Sequence, residues 1–255
     1  MISILALDLD DTLVRSDQTV SPRTLDLLQR WEAMGNRIVI ATGRSPRKAR
    51  EIPAALHHLP WVCYNGGVVL VDGETVYSRT LTTTTAHQLL DYYQNELKLS
   101  WVGLAGNDRL FVNRARHSND PTYVPDMLTV AHEPAMKIYV PLDEFQRHHP
   151  TDTGLPAGCR LLPSEKYNFA QIMPDDVSKA AGLRVLAAQW GVSMDEFMAF
   201  GDDTNDIEMV REAGIGVAMD NAIPELKAVA DRVTLSHDEE GVALVLEEFV
   251  PALTA

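Results

Sequence analysis

Short apolar runs alternate with stretches of helical period from the first residues onward. Residues 2–7 form a largely apolar run, too short for a helix and closed by acidic residues, which predicts a buried strand. Ser21-Pro22 reads as an N-cap followed by proline at the first helical position. Leu25, Leu28 and Trp31, with Leu27 and Met34, then recur at helical spacing until Gly35 closes the helix. Residues 37–41 predict a second strand that runs into Thr42-Gly43-Arg44. Ser45-Pro46 predicts another helix start, with the helix reaching about residue 56. Residues 61–64 predict a third strand, followed by Asn65-Gly66-Gly67. Residues 68–71 and 74–78 flank Asp72-Gly73, a strong two-residue hairpin signal.

Between about residues 82 and 174 the pattern changes. A helix over 86–97 leads into strands over 101–105 and 110–113, separated by Gly106-Asn107-Asp108. An irregular, proline-bearing stretch, 116–134, precedes a strand over 137–140, a short helix over 143–149, and strands around 160–162 and 168–173. Helix-strand-strand thus occurs about twice, which predicts an inserted α+β lobe. Alternation resumes at Ser178: helix 179–190 ending at Gly191, strand 197–200, the loop Gly201-Asp202-Asp203-Thr204-Asn205-Asp206, and a helix to 213. Strand 215–218, helix 224–230, strand 233–235 and helix 242–249 complete the pattern. The expected fold class is α/β. Residues 1–81 and 175–255 would form a doubly wound, mainly parallel, Rossmann-like core, interrupted by an insert of residues 82–174.

Composition narrows the function. The 255 residues carry a net charge of −14 with no basic block, which argues against nucleic-acid backbone binding. No apolar run is long enough to cross a bilayer, and no basic-plus-apolar leader opens the sequence. Cys63 and Cys159 are isolated and form no CxxC pair, as in proteins of reducing compartments. The expected location is the cytoplasm. His57-His58 and His148-His149 fall at predicted helix ends, where a surface role is expected.

The chemistry gathers at strand ends. Asp8-Leu9-Asp10-Asp11-Thr12 follows the first strand directly, and ligands of open α/β sheets bind at the carboxyl ends of strands. Carboxylates this close repel one another and persist where a cation, commonly a hard divalent ion, holds them. Asp8 and Asp10 lie two apart, so an extended strand would turn both to one face. Three other segments join them: Ala41-Thr42-Gly43-Arg44, Ser178-Lys179 at a helix start, and Gly201-Asp202-x-x-Asn205-Asp206. With these motifs in this order, the chain resembles the haloacid dehalogenase superfamily of phosphohydrolases, over nearly its whole length. It is most similar to the Cof-type phosphatase branch, which has a large α/β cap between the second and third motifs. Met219-Asp220-Asn221-Ala222 and Asp238-Glu239-Glu240-Gly241-Val242 are similar to that branch as well.

The resemblance implies roles residue by residue. Asp8 would be the nucleophile, giving a phospho-aspartyl enzyme, and Mg²⁺ would keep it ionised. Asp10 would ligate the metal through its backbone carbonyl, while its carboxyl gives a proton to the leaving oxygen and later takes one from water. Thr42, with the backbone N–H groups of its loop at Gly43 and those at Leu9-Asp10, would hydrogen-bond the phosphoryl oxygens, and Asn205 would reach the phosphate too. Lys179 would neutralise charge on those oxygens. Asp202 would be a metal ligand, with Asp206 ligating directly or bracing the site from behind. Asp11 and Asp203 are assigned no chemistry. For Arg44 and Asn65, contact with the rest of the substrate stands beside a salt-bridged arginine and a turn asparagine. The insert would select the leaving group, but it is shorter and more proline-broken than the full cap, so substrate identity does not carry over.

The expectation is a Mg²⁺-dependent phosphomonoester hydrolase of small metabolites: sugar phosphates, nucleotides or phosphorylated cofactors. It would have no nucleic-acid or membrane partner and be a monomer or weak homo-oligomer. Three alternatives stand beside it. A phosphotransferase such as a sugar phosphomutase shares every motif. A receiver-like signalling module conflicts with the Asp8-x-Asp10 pair on the first strand, and a degenerate phosphate-binding protein conflicts with the intact motif set.

Overall fold

The computed structural model describes residues 1–114, 121–150 and 154–251. It divides into two compact units, Met1–Ser78 with Ser178–Ala255, and Arg79–Val177. The first unit opens with β1 (Ile4–Leu7), buried at every position. In α1 (Pro22–Ala33) the Ser21 hydroxyl accepts the Thr24 N–H at the N-cap, ahead of a first-turn proline. β2 (Arg37–Ala41), the one-turn α2 (Pro46–Ala49), β3 (Trp61–Cys63), β4 (Val68–Val71) and β5 (Glu74–Ser78) follow. Asp72 and Gly73 turn the β4–β5 hairpin with φ of 52° and 81°, as a type I′ turn requires.

The insert contains α3 (Thr83–Asp91), β6 (Gly103–Gly106), β7 (Arg109–Val112), β8 (Thr122–Tyr123), β9 (Lys137–Pro141), α4 (Leu142–His148), β10 (Cys159–Ser164) and β11 (Phe169–Pro174). The chain then returns to the first unit through α5 (Lys179–Trp190), β12 (Phe197–Gly201), α6 (Ile207–Glu212), β13 (Ile215–Ala218), α7 (Pro224–Lys227), β14 (Arg232–Val233) and α8 (Gly241–Leu246).

The first unit's sheet has the order β14-β13-β12-β1-β2-β3-β4-β5. It is parallel from β14 to β3, and antiparallel only at the β3–β4–β5 edge. β1 is flanked by β12 and β2, with Leu7 level with both Phe200 and Ile40. From β1 the chain winds outward through β2 and β3, and after the insert it winds the other way through β13 and β14. The β12–β1 boundary is therefore the switch point at which such sheets open a crevice. Helix α5 seals one face, packing Ala180, Leu183 and Leu186 on Ile4, Ala6, Val39 and Val62.

The insert has a six-stranded sheet of order β10-β11-β9-β6-β7-β8, antiparallel save for the β7–β8 pair. Leu104, Phe111, Ile138, Val140, Ala170 and Ile172 alternate inward from its strands. They bury Leu89, Leu90 and Tyr93 of the helical layer and Phe145 of α4.

Several expectations are corrected. The helix expected from Ser45 to about residue 56 stops at Ala49, and a separate 3₁₀ turn covers Ala54–Leu56. Pro53 has no N–H to give and forces Ile52 away from helical geometry. The helix expected over 86–97 begins earlier, where the Thr82 hydroxyl accepts the Thr85 N–H, and its last turn widens into a π-turn over Tyr92–Glu96. Helices α7 and α8 are shorter than their apolar spacing suggested, and β8 was not anticipated. Of the irregular stretch 116–134, residues 116–120 lie outside the described residues. Arg79 pairs with Asp176, and Leu81 N–H donates to Ala135 O, so the residues beside each junction fold with the insert rather than with the core. His57, His58 and His148 are exposed, whereas His149 is half-buried against Phe145 and Tyr92. No helix among the described residues is long and apolar enough to cross a membrane.

Candidate active site

Parallel pairing in register brings the ends of β1, β2 and β12 side by side, and each end carries a polar residue. Asp8 follows β1, donates its N–H to Phe200 O at 3.1 Å, and is only 5% exposed. Thr42 follows β2 and is fully buried; its N–H donates to Val62 O, and its hydroxyl accepts the Arg44 N–H at 3.0 Å. Asp202 follows β12, and its carboxylate accepts the Thr12 hydroxyl at 3.0 Å.

Lys179 enters from α5. The Ser178 hydroxyl accepts the Ala181 N–H and sets the start of that helix, so Lys179 occupies its first turn with no exposed surface. Its Nζ donates to Asp8 Oδ1 at 2.5 Å and to Asp206 Oδ1 at 2.6 Å. The other Asp206 oxygen accepts the N–H groups of Asp202 and Asp203 at 3.0 and 3.1 Å, so Asp206 braces the loop that presents Asp202. Carboxylate oxygens of Asp8, Asp202 and Asp206 all lie within 4.8 Å of one another.

Burial pushes the Asp8 carboxyl well above its usual range, and Asp206 and Asp202 add to that push against the pull of Lys179. Burial, followed by the Asp206 charge, lifts Asp202 to about 7. For Lys179 burial acts against the ammonium, but Asp206 and Asp8 together outweigh it and hold the proton more firmly than usual. Three carboxylates face one ammonium, leaving two negative charges in excess when all are ionised. The donors are all oxygens, and the excess is what one hard divalent cation balances. The residues fit such an ion.

The remaining expected site residues fall into two groups. Asp10 does not join the carboxylate cluster. Its half-exposed side chain takes two N–H groups of Arg44, one of them Nε to Oδ2 at 2.9 Å, so any contribution to metal binding would come from its backbone carbonyl. Leu9 is fully buried, and its carbonyl closes the acidic turn by accepting the Val14 N–H at 2.8 Å, while Gly43 follows Thr42 in the second loop. Asn205 Nδ2 donates to Asn65 Oδ1 at 3.1 Å. Asn65 is buried in the left-handed region at φ 57°, which asparagine tolerates better than most residues. Asp203 caps the 3₁₀ turn over Thr204–Asp206 in a reciprocal capping box with Asp206, and its carboxylate is not part of the Asp8–Asp202–Asp206 cluster.

Two contributors carried no assigned role in the sequence. Thr12 stands inside the first motif, but nothing in local spacing tells which distant carboxylate its hydroxyl meets. Gly66 has φ of +101°, and a Cβ there would stand 1.9 Å from Ser178 O, so the turn after β3 must be bare for α5 to start where it does. The doubled glycine after Asn65 was the available signal.

A family model described as haloacid dehalogenase-like hydrolase matches residues 5–246. The chain belongs to this family. Among relatives of this haloacid dehalogenase-like hydrolase, the stress response protein YhaX of Bacillus subtilis (strain 168) is 31% identical, the match covering 96% of this chain and 92% of that one. The 5-amino-6-(5-phospho-D-ribitylamino)uracil phosphatase YitU of the same organism is 28% identical, over 96% and 97%. BT1666 from Bacteroides thetaiotaomicron, described among phosphatases of the HAD enzyme superfamily, superimposes with a TM-score of 0.86 at 29% identity, covering 98% of this chain and 95% of that one. Similarity of this extent takes in the insert of this family member as well as its core.

Proposed function

We propose that the protein is a Mg²⁺-dependent phosphatase that hydrolyses phosphomonoesters of small metabolites through a phospho-Asp8 intermediate. The observation that carries this reading is the Lys179–Asp8 contact inside a three-carboxylate cluster, at the end of the central strand of a haloacid dehalogenase-like chain. The phosphatase relatives YitU and BT1666 support it.

Asp8 is the nucleophile. Lys179 holds one of its oxygens, and the second attacks phosphorus as the bond to the leaving oxygen breaks. Asp10 gives that oxygen a proton, then takes one from the water that hydrolyses the acyl phosphate, so inorganic phosphate leaves and Asp8 is restored. Thr42, Asn205 and the backbone N–H groups at Leu9 and Gly43 bind the phosphoryl oxygens, while Lys179 offsets the charge they carry in the transition state. Asp8, the Asp10 carbonyl and Asp202 would hold Mg²⁺, with Asp206 bracing the Asp202 loop or ligating directly. Bound there, the ion supplies the positive charge that lets an anionic carboxylate approach an anionic phosphoryl group.

Arg44 and Asn65 reach the remainder of the substrate. For Arg44 this means leaving Asp10, so substrate binding also frees the acid. The insert selects the leaving group, and sugar phosphates, nucleotides and phosphorylated cofactors are the candidate class. A net charge of −14 without a basic block argues against a nucleic-acid partner. The protein works in the cytoplasm as a monomer or weak homo-oligomer.

Phosphate release from an aryl phosphate tests the proposal. Asp8→Asn should abolish release, chelation should silence the wild type, and Mg²⁺ should restore it. Near-wild-type turnover by Asp8→Asn, or turnover that ignores chelation, would reject it.

A further inference from the structure

The segment just after the Asp8–Asp10 pair is held from a distant part of the chain. Asn221 Nδ2 donates to the carbonyl of Asp11 at 2.8 Å, and its Oδ1 accepts the His237 N–H at 3.1 Å. Only one orientation of the amide satisfies both partners, so its direction is fixed by chemistry. Five residues beyond Asp11, Ser16 donates both its N–H and its hydroxyl to Asp238, at 2.9 and 2.7 Å, and the Asp238 carbonyl accepts Arg15 Nη2. The acidic turn is thus stitched at both ends to the loops after β13 and β14.

Asp11 needs such holding. It sits at φ 61°, a region that costs a residue with a side chain free energy unless its surroundings impose it. Its carbonyl belongs to the peptide that joins it to Thr12, whose hydroxyl sets the Asp202 carboxylate, and the residue before it is Asp10, paired with Arg44. Asp11 is bonded directly to both, so a displacement of Asp11 would shift Asp10 and Thr12 with it.

We infer that Asn221 is a positioning residue for the phosphoryl-transfer reaction: by clamping the Asp11 carbonyl it aims Asp10 at the leaving oxygen. This rests on the phosphatase reading above, in which Asp10 is the acid. Lys227 supplies an internal comparison. Its ammonium donates to the carbonyl of Asp220, the adjacent residue of the same loop, and among the described residues it makes no hydrogen bond or ion pair with the acidic turn.

The test uses two esters with Mg²⁺ present: p-nitrophenyl phosphate, whose leaving group needs little protonation, and an alkyl phosphate, whose alkoxide needs a full proton. Asn221→Asp keeps the acceptor for His237 but sets a carboxylate oxygen against the Asp11 carbonyl. We expect its kcat to fall about tenfold on the alkyl ester, the scale that one ordinary hydrogen bond can supply, and clearly less on the nitrophenyl ester. KM should stay within about twofold, because phosphate binding lies with other groups. Lys227→Met should keep wild-type kcat on both esters. Asn221→Ala, which leaves the Asp11 carbonyl to water, should show the same split should the aspartate variant fail to fold. Equal losses on the two esters, a matching loss in Lys227→Met, or wild-type kcat in both Asn221 variants would each overturn the clamp alone. A wild type that hydrolyses neither ester would overturn the phosphatase reading and the clamp with it.

Discussion

Lys179 is the residue on which charge and position meet. A fully buried ammonium is stable only because two carboxylates lie within 2.6 Å of it, and those same contacts fix one oxygen of Asp8 and one of Asp206. Lys179→Met keeps the volume and removes the charge. Catalysis should fall by at least about 10²-fold, since charge on the phosphoryl oxygens loses its fixed partner. Affinity for a divalent cation should move the other way or hold, because the cluster becomes more negative. Steady-state phosphate release and calorimetric titration with Mg²⁺ separate the two effects. A variant that loses metal and activity in parallel would make Lys179 a structural support of the metal site instead. At Asp10, Asp10→Asn should slow turnover by about 10²–10⁴, the usual worth of a positioned acid, with the loss greatest for basic leaving groups. An equal loss on every ester would remove Asp10 as the acid.

Elements present these residues, and the sequence was legible where one local rule decided the outcome. The apolar run before Asp8, the Ser21-Pro22 and Ser178 caps, Gly191 at φ 67° ending α5, and the Asp72-Gly73 hairpin all stand where propensity placed them. Conflicting local rules were less readable. Apolar spacing carried the helix after Ser45 past Pro53, which breaks it, and a two-residue edge strand such as β8 has too few positions to show alternation. Long-range contacts had no local signature at all: the Thr12–Asp202 bond spans 190 residues of sequence, and the Arg44–Asp10 pair is one of two readings that the motif left open. The Gly66 turn tests how strongly one element positions another. Gly66→Ala would force a Cβ into Ser178 O and so displace the start of α5, and Lys179 with it. It should cost about 3 kcal/mol or more and depress kcat. Gly35→Ala also replaces a positive-φ glycine, but with nothing within 4 Å of the new Cβ, so it should cost only about 1–2 kcal/mol and leave kcat unchanged. Thermal melts beside rate measurements distinguish the two, and equal losses would mean that the turn does not position α5.

At the scale of the whole molecule, the site's unbalanced charge becomes a pH dependence of folding. Asp202 has an ordinary value of 3.8 and is lifted to about 7 in the folded chain, and Asp8 shifts in the same direction. Between these limits the folded state binds more protons than the unfolded one, so stability falls as pH rises. The contribution is complete at pH below the ordinary carboxylate value and is lost on passing through about 7. Asp17, Asp238, Glu240 and Glu248 are displaced downward by their hydrogen bonds and oppose this trend, but their effect is confined to more acid solution. From about pH 5 to pH 7 the raised carboxylates therefore dominate. The metal-free protein should melt at progressively lower temperature across that window, and Asp202→Asn, which has no charge to acquire, should flatten the decline. A divalent cation binds the ionised cluster in the folded state alone, so saturating Mg²⁺ should raise the melting temperature more at pH 7 than at pH 5. Calorimetric scans of both proteins, with chelator and with Mg²⁺, measure all four slopes. Equal metal shifts at the two pH values, or a wild-type decline no steeper than that of Asp202→Asn, would show that the buried carboxylates do not couple folding to the ion.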